Sequence, residues 1–160
     1  MLIEMKVAGI TMDPSSNTPI VILKEVNGTR ALPIWIGILE ASAIATELGE
    51  VAPPRPMTHD LIKNMLAGLN IKLTRIEVTD LRDNTFFATI HLSMLDKKIS
   101  IDARPSDAIA LALRNNSLIF VNEEVVIKSR GIDLKNKKNG EKGSKEYNED
   151  QKWAEILENI

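Results

Sequence analysis

Residues 32–45 read LPIWIGILEASAIA: an alternating stretch, Ile34-Trp35-Ile36, then a short gap and Glu40-Ala41-Ser42-Ala43-Ile44-Ala45. The pattern returns 65 residues on, where Ile99-Ser100-Ile101 is followed by Pro105-Ser106-Asp107-Ala108-Ile109-Ala110. A recurring strand-to-helix junction predicts a domain built from two copies of one unit. Phase supports this. Ile3, Met5 and Val7 alternate before the apolar set jumps to Ile10 and Met12, and Ile71 and Leu73 make the same jump to Ile76 and Val78. A period of two cannot skip a residue unless a bulge inserts one.

Working outward, the first unit (about 1–68) reads as strands near 2–12, 19–25 and 30–36, with Asn27-Gly28 as a two-residue hairpin turn. A helix over about 38–48 ends at Gly49. Pro53, Pro54 and Pro56 forbid its continuation, and a second helix starts near Thr58 as N-cap. Its apolar residues Leu61, Ile62, Met65, Leu66 and Leu69 share one face. The second unit (about 71–131) has strands near 71–79, 85–94 and 98–102, then a helix opened by Pro105 that is apolar nearly all round. A strand at 118–121 and a small helix capped by Asn122 and closed by Gly131 complete it. The fold class is α+β, an antiparallel or mixed sheet packed with helices. Residues 132–160 form a charged connector, expected to be flexible, with a short amphipathic helix at about 149–160 carrying Trp153, Ile156, Leu157 and Ile160.

Composition narrows the chemistry. The chain has 160 residues, 20 Lys plus Arg against 22 Asp plus Glu, and no cysteine. That excludes disulfides, a cysteine nucleophile and thiolate metal sites, and a net charge of −2 leaves nucleic-acid contact to local patches. No apolar run approaches the ~20 residues of a bilayer span. With an acid at Glu4 and no signal-peptide pattern, the expectation is a cytoplasmic protein without membrane contact.

Five ordered strings resemble the bifunctional nuclease domain family: LPIWIGILEASAIA (32–45), RPMTHDLIKNML (55–66), TFFATIHL (85–92), IDARPSDAIALALR (101–114) and IFVNEEVV (119–126). The resemblance covers roughly residues 1–131. It implies a duplicated α+β domain that self-associates, a dimer being the favoured form, and nuclease activity on DNA and RNA. It supplies no catalytic set, so candidates come from chemistry.

Phosphodiester hydrolysis without cysteine usually calls for carboxylates holding a divalent metal, here Mg or Mn. Asp102 at a strand end and Asp107 in the next helix's first turn are the expected metal pair, with Arg104 offering a fork to phosphate. Arg55, His59 and Asp60 form a second constellation: His59 as general base or ligand, Asp60 beside it, and Arg55 for substrate. Trp35 is a candidate for stacking a base. Each also has an ordinary structural role, since acids near helix starts favour the dipole and Thr58 caps. His91 reads as a sheet-surface histidine. The alternative is therefore a non-catalytic oligomeric binding or regulatory module with Trp35 and Phe87 at an interface.

Overall fold

The computed structural model describes residues 1–129 and the strand pairing of Ile132 and Asp133. The connector and terminal helix expected beyond them lie outside the described residues. Elements run β1 (Leu2–Met12), β2 (Pro19–Glu25), β3 (Arg30–Trp35), α1 (Ile38–Leu48), α2 (Thr58–Gly68), β4 (Lys72–Arg82), β5 (Thr85–Met94) and β6 (Lys97–Ala103). Then follow α3 (Pro105–Asn115), β7 (Leu118–Asn122), α4 (Glu123–Lys128) and the two-residue β8 (Ile132–Asp133). The α+β expectation holds.

One mixed sheet has the order β6-β5-β4-β7-β1-β2-β3-β8. Two antiparallel meanders, β1–β3 and β4–β6, are joined by β7, parallel to β4 and antiparallel to β1. Bulges fall at Val7/Gly9 and Leu73/Arg75, where the apolar phase jumps, and a further one lies at Val78/Asp80. The two halves share the order β-β-β-α but then diverge, because β7 has no counterpart after α1. Element order alone does not establish a duplication.

Helix α3 sits at the centre of the core. Ala108, Ile109, Ala110 and Ala112 are fully buried, as an all-round apolar helix requires, against α1, α2, β4, β5 and β7. On the helical side of the sheet, Ile3, Met5, Val21, Leu23, Ile76, Ala88 and Ile90 complete the main core. Ile20, Ile22 and Ala31 form a smaller cluster with Ala8.

Three local expectations need correction. The β2–β3 connection spans four residues, 26–29, and neither Asn27 nor Gly28 takes a positive φ. Two-residue turns lie instead between β5 and β6, at Leu95-Asp96, and between β4 and β5, where Asp83 (φ 48°) and Asn84 (φ 59°) are both left-handed, the pattern of a type I′ hairpin. Helix α2 is capped by Met57 rather than Thr58, and α4 ends at Lys128 with Ser129 as its C-cap, before Gly131.

Candidate active site

The first three helices begin alike. Their N-caps are Gly37, Met57 and Arg104, none with a capping side chain, and each places an acid three residues on: Glu40, Asp60 and Asp107. Acids there compensate the exposed N–H groups and the dipole. Asp60 goes further, its Oδ2 accepting from the Met57 backbone N–H at 2.9 Å.

Two arginines tie these termini together. The Arg104 guanidinium donates from Nε to Asp107 Oδ2 (2.8 Å) and from Nη1 to Glu40 Oε1 (2.7 Å), so one exposed cation spans α3 and α1. Arg114, whose side chain is only 3% exposed, donates to Asp60 Oδ1 (2.8 Å) and to the carbonyls of Ala110 and Ala43. A buried charge needs such partners on every side.

His59, in the first turn of α2, reaches across to α3. Its Nε2 lies 2.9 Å from Asp107 Oδ1. Burial raises the Asp107 pKa, but hydrogen bonds from Arg104 and His59 outweigh it and hold the carboxyl below its ordinary value. An ionised carboxylate only accepts, so His59 Nε2 carries a proton, and in the neutral tautomer Nδ1 is the acceptor nitrogen. This is how a histidine base is oriented by an acid behind it. Asp60 is likewise held low, first by the Met57 N–H and then by Arg114.

His59, Asp107, Arg104 and Glu40 line a cavity of about 690 Å³ with Leu39, Met57, Ile62, Leu66, Ile90, Leu92 and Ile101. An apolar pocket with a few convergent polar groups at its wall is a common binding-site architecture.

The expected metal pair is not formed. Asp102 pairs with Thr89 across β5–β6, on the face opposite Ile101, which lines the pocket. It is exposed, and its side chain makes no hydrogen bond or ion pair among the described residues. Asp107 lies on the helical side. Among the described residues no group of three His, Asp or Glu stands where a metal ion could be held, and the acids that approach each other, Glu40 and Asp107, share Arg104.

The remaining candidates separate. Arg55 is exposed on the loop before α2 and has no polar partner among the described residues. Trp35, 44% exposed, donates from Nε1 to Asp13 Oδ2 at 3.0 Å and lines a different cavity, with Pro33, Leu81 and Phe86. A smaller cleft of about 260 Å³ contains both Trp35 and Arg104. His91 faces away from the helices, 3.2 Å from Ser100 Oγ and 3.1 Å from Glu77 Oε1, itself held by Arg75. Sequence reading missed Arg114, whose one signal was a cation ending an otherwise apolar helix.

Comparison with known proteins agrees with the resemblance. The family model described as "Bifunctional nuclease domain" matches residues 21–134. An uncharacterized protein of Mycobacterium tuberculosis is 40% identical over 159 residues, 98% of this chain and 94% of its own. "Bifunctional nuclease 2" of Arabidopsis thaliana is 30% identical over 107 residues, 64% of this chain and 32% of its own. "Bifunctional nuclease 1" of Oryza sativa subsp. japonica is 24% identical over 116 residues, 71% of this chain and 35% of its own. The chain thus covers about a third of those plant proteins.

Proposed function

The chain belongs to the bifunctional nuclease domain family, and from that premise and the His59–Asp107 pair we propose that it hydrolyses phosphodiester bonds of DNA and RNA at the pocket between α1, α2 and α3. The carrying observation is the 2.9 Å contact that leaves His59 Nδ1 as a base beside a cavity. Water attacks phosphorus as its proton passes to His59 Nδ1; the P–O bond to the leaving oxygen breaks, that oxygen takes up a proton from bulk water, and the imidazolium returns its proton to solvent. Asp107 fixes the ring and stabilises the imidazolium. Arg104 contacts the phosphate through Nη2, which makes no hydrogen bond among the described residues. Nucleic acid is accordingly the proposed partner, and self-association the proposed state. No described helix is long and apolar enough to cross a membrane.

The second reading is a binding module. It is favoured by the full engagement of the three N-terminal acids: Glu40, Asp60 and Asp107 all accept from arginines. The test is purified protein on single-stranded DNA and RNA, with EDTA, magnesium or manganese, beside His59→Ala and Asp102→Asn. Loss of a histidine base is expected to slow cleavage by about 10²–10⁴-fold, while Asp102→Asn cleaves as the parent does. Binding without cleavage under every condition would establish the module instead. Cleavage unaffected by His59→Ala would remove His59 from the mechanism.

A further inference from the structure

Two further hollows adjoin the His59 pocket, and common walls put all three in series. Trp35, Asn84 and Phe86 border both the cleft of about 260 Å³ and a cavity of about 640 Å³ to which Lys128 and Ser129 also contribute. Arg104 borders both that cleft and the His59 pocket. A path therefore leads from Lys128, past Trp35 and Phe86, to Arg104 and the His59–Asp107 wall.

The chemistry of this path differs from that of the molecule. The chain has 22 acids and a net charge of −2, yet among the described residues no carboxylate lines either outer hollow. Their charged groups are Lys128 and Arg104, with side chains 48% and 65% exposed. Lys128 pairs with Asp80 at 3.0 Å, but an ammonium has three protons to donate. The other polar groups are neutral, the amide of Asn84 and the hydroxyls of Thr85, Ser106 and Ser129. Trp35, 44% exposed, stands between the two cations. Its Nε1 donates to Asp13 Oδ2 at 3.0 Å. Such a bond lies in the ring plane, so it fixes the angle of the indole without using the π-face. A held, exposed ring is a stacking platform for any base, and flanking cations suit the phosphates on either side of it. Phe86, half-buried and packed on the core, is the adjoining wall.

We propose that an unpaired strand of DNA or RNA lies along this path, one base stacked on Trp35, with phosphates at Lys128 on one side of it and at Arg104 on the other. The choice of occupant rests on the proposed hydrolytic reading and deepens it, because the strand is gripped at Trp35, outside the cavity in which it is cleaved. A duplex is refused here, since its bases cover each other's faces and offer none to a side chain.

The test uses the full chain. Trp35 and Trp153 are its two tryptophans, so Trp153→Phe makes Trp35 the reporter, and His59→Ala added to it keeps the strand from being consumed. A short oligothymidylate is expected to quench Trp35 emission, and a blunt-ended duplex is not. In the anisotropy of a fluorescein-labelled oligothymidylate, Trp35→Ala is expected to weaken binding by about 5–150-fold, while Trp35→Phe keeps most of the affinity. Lys128→Gln is expected to lower the slope of log affinity against log salt by about 0.7. Each variant is melted; if Trp35→Ala unfolds early, Trp35 quenching and the Lys128→Gln slope decide. No binding, binding without quenching, equal quenching by the duplex, or parental affinity in a folded Trp35→Ala overturns the proposal. Quenching in a protein that never cleaves sinks the hydrolytic reading and leaves the strand site standing; cleavage without quenching does the reverse.

Discussion

Asp60 shows how much one side chain holds at this site. It accepts from the Met57 N–H at the start of α2 and from Arg114, a cation that is nearly fully buried. Asp60→Asn removes the charge that compensates Arg114 and is expected to cost about 1–3 kcal/mol in urea unfolding at neutral pH. The pH dependence follows from the depressed Asp60 pKa. Its stabilisation is complete above the unfolded-state value, ~3.9, and is lost as pH falls through the folded-state value. Parent and variant should therefore converge in stability toward pH 3, and a gap that stays constant from pH 7 to pH 3 would contradict the assignment. Asp102 teaches the opposite lesson. Its side was legible in the sequence, since Ile99 and Ile101 alternate with it and period two sends it to the other face. The expectation of convergence with Asp107 followed nearness along the chain instead.

At the scale of elements, alternation and breakers were enough. The β5 alternation, both phase-jump bulges, Pro105 at the start of α3 and the Asn122 cap are all where local rules put them. The turns were harder, because Asn27-Gly28 carries the stronger local signal while the left-handed pair is Asp83-Asn84, chosen by the register of β4 and β5. Asn84→Val forces a β-branched residue to φ near 59° and should lower stability by about 1–2 kcal/mol, read from the shift in melting temperature. Truncating the central helix is costlier. Ile109→Ala leaves a cavity in a fully buried position and is expected to cost about 2–5 kcal/mol by chemical denaturation. An effect below 1 kcal/mol would mean that α3 is not the packed centre. What no local rule shows is the site itself: His59 meets Asp107 across 48 positions and Arg114 meets Asp60 across 54, contacts that exist only once α2 lies on α3.

Across the whole molecule, the two meanders share one core, with α3 touching β4, β5 and β7 and α1 touching β1 and β2. Unfolding by calorimetry is expected to be a single transition with equal van't Hoff and calorimetric enthalpies; two resolved peaks would show that the halves fold separately. Beside the sheet hydrogen bonds, Arg30 on β3 links Glu25 to Glu123 of α4, and Lys128 links α4 back to Asp80 of β4. These partly exposed ties add little individually. The joint that matters is β7, which carries Ile119 and Val121 between Ile3 and Met5 of β1 and Ile76 and Val78 of β4. Since the seam between the meanders is made by a strand that follows both of them along the chain, a ribosome delivers every other long strand before the piece that unites them. Until residue 122 clears the exit tunnel, the nascent polypeptide presents two unjoined sheet edges, and that is the interval in which a chaperone would find them.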